Sequence, residues 1–452
     1  MSKVHILVFP YPAQGHILAL LDLTHHLALG GLTITIVITP KNLPILNPLL
    51  SSHPNTIETL VLQLPPHPNI PQGAENIREV GNSGNYPFIN ALSKLQPPII
   101  QWYTTHPNPP VALISDFFLG WTHQLATRLG IPRLAFHSCR ALLPTVLTRC
   151  WQNPHSHGVI ESFKREHLPS VFLRYKESDP DSEFVRESFL SNAASWGFIF
   201  NTLRALEAPY LDQIRAEWSH ASLFAVGPLG SNRVESGPKG ESQVLHWLDG
   251  FEEEGSVLYV CFGSQKLLKK EQMEALALGL ERSQTRFVWV AKTPSTKEQI
   301  QEGYGSVPDG FANRVSGRGM VVTGWAPQVA ILSHRVVGGF LSHCGWNSVM
   351  EAMVSGVTIL GWPMEADQFL NARLLVEDKG VAVRVSEGAD SVPDPDILGR
   401  VISAVMSPES PQKRRAKLMR EEAVSAVSEG GESSMDLDLL VKALLELGVK
   451  QG

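Results

Sequence analysis

The chain alternates short runs of apolar, β-branched residues with longer segments whose apolar residues recur at helical spacing. Continuous apolar strands separated by helices are typical of parallel sheets that helices cover on both faces. The runs form two series, so the pattern predicts an α/β protein with two doubly wound domains. The first series is Val4–Phe9, Thr33–Ile38, Ile57–Leu62, Val111–Ser115, Arg133–Phe136, Gly197–Asn201 and Leu223–Val226. The second is Ser256–Phe262, Arg286–Ala291, Gly319–Thr323, Gly338–Leu341, Thr358–Gly361 and Val381–Val385.

A polar stretch with several glycines and prolines, Gly227–Ser242, separates the two series. It has no hydrophobic period and is interpreted as a linker. We therefore expect an N-terminal domain over residues 1–237 and a second domain over 238–430. In the last segment, 431–452, the apolar residues of Asp436–Leu447 have the spacing of a packed helix.

Composition narrows the classes of partner. The 452 residues include 38 Lys and Arg against 44 Asp and Glu, a net charge of −6, and no compact basic patch. Nucleic acid and anionic membranes are therefore poor partners, and no apolar stretch has the length of about 18 residues that a membrane helix needs. No CxxC pair occurs among the four cysteines, which favours reduced thiols. We expect a monomeric cytoplasmic protein without an integral membrane segment.

A turn in the second series has the features of a phosphate site. The strand Gly338–Leu341 leads into a tight turn, His343–Asn347, and a helix is predicted to begin near Ser348. The N–H groups and the positive dipole end of a helix favour an anion there. The side chains of His343 and Asn347 can donate further hydrogen bonds.

Nearby residues suit the ribose and the base of a nucleotide whose phosphates bind this turn. Glu351, one helical turn further on, can accept hydrogen bonds from ribose hydroxyls, Trp325 offers a flat face for a base, and Gln328 offers an amide. Neither a P-loop lysine nor a GxGxxG motif is present, so these residues alone indicate a nucleotide without naming it.

The segment from Trp325 to Gln368, 44 positions long, closely resembles the signature box of plant secondary-product UDP-glycosyltransferases. Two further motifs, Pro10–His16 and Ser256–Ser264, resemble the N-terminal catalytic turn and the first C-domain strand and phosphate loop of that family. The resemblance implies a GT-B fold, in which two Rossmann-like domains face each other across a cleft. The first domain would bind the acceptor and the second the UDP-sugar, and the C-terminal helix would pack back on the first domain.

The resemblance also assigns residues to the donor. It implies that UDP contacts Trp325, Ala326, Gln328, His343, Asn347, Ser348, Glu351 and Ser264. It implies that the sugar contacts Trp346, Asp367, Gln368 and Ser138. Glutamine at position 368 is the family's usual residue for a glucose donor. The diphosphate site inferred in this way contains no lysine or arginine.

His16 is the candidate general base. It lies after the first strand, on a turn at Gly15, and a neutral imidazole can take a proton from an acceptor hydroxyl near neutral pH. Asp116 comes directly after the strand Val111–Ser115 and is the candidate partner that orients the imidazole. The family uses a matching His–Asp pair. One base and no carboxylate nucleophile predict a single displacement with inversion.

No metal or other cofactor is expected, and the UDP-sugar is a co-substrate. Two Asp-x-Asp triplets, Asp179–Asp181 and Asp394–Asp396, lie in proline-containing polar stretches and are interpreted as turns or helix caps.

The leading hypothesis is an inverting transferase that moves a hexose, with glucose from UDP-glucose favoured, to a hydroxyl of a small phenolic or flavonoid acceptor. A C-glycosyltransferase on the same scaffold and a non-catalytic UDP-sugar binder remain alternatives. An NAD-dependent oxidoreductase is disfavoured, because no GxGxxG motif precedes an acidic residue at the expected distance.

Overall fold

A computed structural model describes residues 4–154, 163–230 and 241–451. The chain divides into two compact units, one comprising Met1–Gly230 with Ala426–Gly452 and the other Ser231–Ser425. Most of the predicted linker, and with it the expected boundary at residue 237, lies outside the described residues.

The first unit is built on a seven-stranded parallel sheet. Its strands are β1 (His5–Phe9), β2 (Thr33–Ile38), β3 (Ile57–Val61), β4 (Ala112–Asp116), β5 (Arg133–His137), β6 (Gly197–Phe200) and β7 (Ser222–Ala225). They lie in the order β3-β2-β1-β4-β5-β6-β7. The strand order reverses between β1 and β4, and ligands of open parallel sheets bind beyond the carboxyl ends of the strands at such a switch point.

The second unit repeats this topology in a six-stranded parallel sheet. Its strands are β8 (Val257–Cys261), β9 (Arg286–Ala291), β10 (Gly319–Thr323), β11 (Val337–Ser342), β12 (Thr358–Gly361) and β13 (Ala382–Arg384). The order β10-β9-β8-β11-β12-β13 places a second switch point between β8 and β11.

Every strand predicted from the sequence is present, and its ends differ from the prediction by at most one residue. The reason is local. The central strands, such as β1, β4 and β8, are buried along their whole length, so each must read as an uninterrupted apolar run. The predicted α/β class with two doubly wound sheets is confirmed.

Helices connect the strands. Those of the first unit are α1 (Gln14–Leu29), α2 (Asn47–Ser52), α3 (Asn85–Ser93), α4 (Gln96–Thr105), α5 (Thr122–Leu129), α6 (Leu142–Gln152), α7 (Ser170–Leu173), α8 (Pro180–Ser191) and α9 (Arg204–Glu217). The later helices are α10 (Glu241–Asp249), α11 (Lys270–Ser283), α12 (Lys297–Gln301), α13 (Phe311–Arg314), α14 (Gln328–Leu332), α15 (Trp346–Ser355), α16 (Gln368–Arg373), α17 (Pro395–Met406), α18 (Pro411–Val427) and α19 (Glu432–Gln451). None of the described helices combines the length and the apolar character that crossing a membrane requires.

The last helix, α19, packs in the first unit. Leu440 and Leu444 are fully buried in the core that β1 and β2 form, and each such leucine contributes about 1.5–3 kcal/mol. The carboxylate of Asp436 accepts a hydrogen bond of 2.7 Å from the backbone N–H of Ala225, at the end of β7. The helix contains and extends the predicted segment Asp436–Leu447.

Candidate active site

His16 and Asp116 meet at the switch point of the first sheet. His16 lies in the first turn of α1, shortly after β1, and Asp116 is the last residue of the adjacent strand β4. His16 Nδ1 and Asp116 Oδ2 are 2.8 Å apart. The carboxylate is fully buried, whereas the imidazole is 20% exposed. The structure thus joins two side chains that are 100 residues apart in the sequence.

The orientation of this carboxylate is fixed from both sides. Its second oxygen, Oδ1, accepts a hydrogen bond of 2.9 Å from the backbone N–H of Phe118 and caps the 3-10 turn Phe117–Leu119. Because an ionised carboxylate only accepts hydrogen bonds, it holds the imidazole proton of His16 on Nδ1. The Nε2 nitrogen of His16 then keeps the lone pair that a general base needs.

Aromatic rings surround the imidazole of His16. Phe117 stacks on it with ring centroids 5.6 Å apart, and Phe118 and Tyr11 make edge contacts at 4.7 and 5.4 Å. Burial and the charge of Asp116 raise the pKa of Tyr11, so the phenol stays neutral. The rings leave the imidazole few orientations and shield its bond to the carboxylate from water.

Ser138 lies at the same edge of the sheet, directly after β5, and is buried. A buried ion pair supports this loop, because Arg140 Nε donates to Glu207 Oε1 at 2.9 Å. The other oxygen of Glu207 accepts a hydrogen bond of 2.7 Å from the backbone N–H of Ala141. Strand β5 is the neighbour of the strand that carries Asp116, so Ser138 belongs to the same group of loops.

At the switch point of the second sheet, the turn after β11 leads into α15. The helix begins at Trp346, two residues before the predicted start at Ser348. The chain turns earlier because Cys344 adopts a left-handed conformation with φ 64°, and its N–H donates to Ser342 Oγ at 3.1 Å. Gly345 is the N-cap and has no side chain to cap the first N–H groups of the helix. These groups are arranged as in an anion site.

His343 in this turn fits between two glycines. A Cβ added at Gly263 would lie 2.8 Å from His343 Nε2, and one added at Gly345 would lie 2.6 Å from it. Burial, together with the charge of Lys266, lowers the pKa of His343 to about 4. At neutral pH its imidazole is therefore uncharged, and it can only contribute a hydrogen bond to a ligand.

Three of the residues assigned to UDP form one cluster. The side-chain amide of Gln328 donates to Glu351 Oε2 at 2.7 Å and to Ser348 Oγ at 3.0 Å. Trp325 lies shortly after β10 and is 42% exposed, which is unusual for so large an apolar side chain. Ala326 beside it is buried. An exposed indole can stack on a base, and the carboxylate of Glu351 can accept hydrogen bonds from a ribose.

Gln368 is the first residue of α16, and its side chain is buried. Its Oε1 accepts hydrogen bonds from the backbone N–H groups of Met364 and Glu365, at 2.9 and 3.0 Å. The oxygen is therefore committed to its own loop, and the amide nitrogen is the part that can serve a ligand.

The loops after β11 and β12 are joined by Asn371, which sequence reasoning missed. Its side-chain nitrogen donates to the carbonyl oxygen of Cys344 at 2.9 Å and to Asp367 Oδ2 at 3.1 Å. Trp346, assigned to the sugar, is almost completely buried at the start of α15. One amide thus fixes the position of Asp367 relative to the turn His343–Asn347.

The two acidic triplets are helix caps, as predicted. Asp179 accepts from the N–H of Ser182 at 2.9 Å at the start of α8. Asp394 accepts from the N–H groups of Asp396 and Ile397 at 2.9 Å at the start of α17. Among the described residues, no group of three or more His, Cys, Asp or Glu side chains could hold a metal ion.

Comparison with known proteins identifies the family. The family model UDPGT, described as UDP-glucoronosyl and UDP-glucosyl transferase, matches residues 240–410. The chain is 51% identical over 453 residues to UDP-glycosyltransferase 89A2 of Arabidopsis thaliana, covering 96% of this chain and 94% of that protein. The chain belongs to the plant UDP-glycosyltransferases.

Other relatives of this UDP-glycosyltransferase have more specific names. It is 45% identical to flavonol 3-O-glucosyltransferase UGT89B1 of Arabidopsis thaliana, over all of this chain and 98% of that protein. Its structure matches that of Arabidopsis thaliana UGT89C1 complexed with UDP-L-rhamnose, with a TM-score of 0.84, 34% identity, and 98% and 100% of the two chains covered. The two parallel-sheet units are therefore those of a GT-B fold, as predicted, and the protein is a UDP-sugar-dependent transferase and not an oxidoreductase.

Two lysines of the glycosyltransferase lie close to residues assigned to the diphosphate, and neither was among the residues predicted for that site. The ammonium group of Lys292 donates to the backbone carbonyl of Ser264, and the charge of Lys266 acts on His343. A signal for Lys292 was available, because it comes directly after strand β9 at the edge where ligands bind. Ser264 itself lies after β8, as predicted.

Proposed function

We propose that this UDP-glycosyltransferase transfers a hexose, with glucose favoured, to a hydroxyl of a small phenolic or flavonoid acceptor with inversion at the anomeric carbon. The hydrogen bond between His16 Nδ1 and Asp116 Oδ2 carries the proposal, since it prepares a base at the edge of the first sheet. Two relatives support the acceptor class. One is named a flavonol 3-O-glucosyltransferase, and a structure of UGT89C1 contains quercetin.

In the proposed reaction, Nε2 of His16 removes the proton of the acceptor hydroxyl while the oxygen of that hydroxyl attacks the anomeric carbon. The buried carboxylate of Asp116 compensates the charge of the imidazolium that forms. The bond from the anomeric carbon to the diphosphate oxygen breaks on the opposite face, so an α-linked donor gives a β-linked product.

The leaving UDP is held by the second unit in this proposal. The first N–H groups of α15 and the neutral imidazole of His343 donate hydrogen bonds to the diphosphate. Lys292 adds positive charge beside Ser264. The uracil stacks on the exposed indole of Trp325, and the ribose hydroxyls bind Glu351.

Gln368 is proposed to read the donor sugar through its amide nitrogen. Gln368→Glu keeps an oxygen for the N–H groups of Met364 and Glu365 but replaces the nitrogen. Gln368→His changes both features. Both variants should transfer glucose from UDP-glucose more slowly than the wild type. The sugar preference is obtained by comparing rates with UDP-glucose and with UDP-L-rhamnose. Gln368→Glu should keep more of the wild-type thermal stability than Gln368→His. An unchanged sugar preference in both variants would remove Gln368 from donor selection.

The function is tested by incubating the protein with UDP-glucose and a panel of flavonols, simple phenols and benzoates, and by determining the product linkage by NMR. We expect β-O-glycosides, and a loss of about 10³-fold in turnover with His16→Ala. No product from any acceptor, or wild-type turnover by His16→Ala, overturns the proposal. A sugar bonded to a ring carbon would show a C-glycosyltransferase instead.

A further inference from the structure

A buried arginine lies beside the His16–Asp116 pair. Arg133 begins β5, the neighbour of the strand that ends in Asp116, and it is 2% exposed. Its Nε donates to Ser115 Oγ at 2.9 Å, and Nη1 donates to Asn192 Oδ1 at 2.9 Å and to Ser195 Oγ at 2.8 Å. Its Nη2 lies 3.4 Å from the backbone carbonyl oxygen of Asp116. Each of these four acceptors is an uncharged group.

A guanidinium in such surroundings is unusual, because a buried charge is normally paired with an opposite charge in direct contact. Burial lowers the pKa of Arg133 to about 9, and the negative charge of Asp116 opposes that shift. Arg133 is therefore protonated at neutral pH. Hydrogen bonds alone do not account for an arginine here, since a neutral side chain could satisfy the same hydroxyl and amide groups without bringing a charge into the interior.

We propose that Arg133 is a positioning residue of the His16–Asp116 pair, whose buried charge holds Asp116 as a carboxylate and whose hydrogen bonds fix the end of β4. The proposal rests on the proposed function, in which His16 is the base. His16 can take a proton from the acceptor hydroxyl only when the His16–Asp116 pair carries no proton beyond the one on Nδ1. A second proton on the pair is called its surplus proton below. A nearby positive charge favours that deprotonated state. Without it, the pair should keep its surplus proton to a higher pH.

Among the residues that the structure describes, three other titratable side chains face this region. Tyr11 is neutral, because burial and the charge of Asp116 raise its pKa. His137 is also neutral, because burial and the charge of Arg133 keep its pKa well below the usual value. Burial and the same charge lower the pKa of His123 from 6.5. His123 is thus the group whose titration needs a control.

The test is the pH dependence of kcat/KM for the acceptor in Arg133→Met, whose side chain is of similar length and uncharged. We expect the acid limb to move to higher pH by about one unit or more, with the KM for UDP-glucose unchanged. The same shift should occur in a His123→Gln background. Ser195→Ala removes one hydrogen bond of Arg133 but not its charge, and it should leave the acid limb in place.

Arg133→Lys separates charge from hydrogen bonding. It keeps the charge and loses the planar donor group, so kcat should fall while the acid limb stays at the wild-type pH. A limb that does not move in folded Arg133→Met, or one that moves equally in Ser195→Ala, overturns the proposal. If Arg133→Met does not fold, Arg133→Lys decides, and a shift of a full unit in that variant is the contradicting result. These outcomes require that His16→Ala is inactive, which separates this inference from a failure of the proposed base.

Discussion

The six strands of the second sheet have the same order as the first six strands of the first sheet, yet different side chains lie at the two switch points. At the first, a partly exposed imidazole is bonded to the buried carboxylate of Asp116. At the second, His343 is packed between two glycines, and its Nδ1 has no hydrogen-bond partner among the described residues. The topology places a histidine at each site. Only the first is bonded to a carboxylate, whereas burial and the charge of Lys266 lower the pKa of the second to about 4.

The residues directly after each strand explain the difference. After β4 begins a 3-10 turn, which Asp116 caps while it also accepts from the imidazole. After β11 come the left-handed Cys344 and the N-cap Gly345, and no side chain of the N-cap residue accepts from the first N–H groups of α15. The loop after β4 thus carries a negative charge, whereas the loop after β11 presents N–H donors that suit a negatively charged ligand.

The largest expected effect distinguishes the carboxylate from the rest of the first site. Asp116→Asn keeps an oxygen for the N–H of Phe118 but loses the charge that supports an imidazolium, so kcat should fall by about 10²–10³-fold. The KM for UDP-glucose should stay the same. Asp394→Asn is the matched control, because asparagine also caps helices, and its kcat should remain near that of the wild type. A kcat for Asp116→Asn equal to that of this control would contradict the account.

The next effect concerns the close packing around His343. Gly345 has an ordinary φ of −62°, so Gly345→Ala strains no dihedral, but its Cβ would lie 2.6 Å from the imidazole. We expect the KM for UDP-glucose to rise by about tenfold, because roughly one hydrogen bond to a charged group would be lost. Gly317→Ala is the control, since Gly317 has φ 90° with nothing within 4 Å. It should lower stability without changing KM. Equal KM values in the two variants would remove His343 from the anion site.

The smallest effect is on stability in acid. Because the pKa of His343 is about 4 in the folded protein and near 6.5 when unfolded, the unfolded chain binds the extra proton between these values. Stability from this group is therefore complete above pH 6.5 and is lost as the pH falls toward 4. His343→Gln should reduce the loss in unfolding free energy between about pH 7 and pH 5 by about 1–2 kcal/mol, measured by urea unfolding. An equal loss in both proteins would show that His343 is not held neutral.

Sequence reasoning succeeded where the determinants are local. The strands are buried apolar runs, and Asp179 and Asp394 precede proline at helix starts, which is a cap pattern in any fold. The proximity of His16 and Asp116 was also predictable, because adjacent parallel strands bring their carboxyl ends together.

Other features depend on contacts distant in sequence. The burial of Arg133 depends on Asn192 and Ser195, about sixty positions away. The commitment of the Gln368 oxygen to its own loop depends on the left-handed conformation of Ala366 and the turn around it. The pattern of apolar and polar residues along the sequence contains neither contact.

In the proposed function, the first switch point performs proton transfer and the second binds UDP. Calorimetric titration of UDP into His16→Ala, with turnover measured on the same preparation, tests it most directly. We expect a Kd for UDP equal to that of the wild type, together with turnover reduced by about 10³-fold. Turnover that persists in His16→Ala, or UDP affinity that is lost along with turnover, would contradict it.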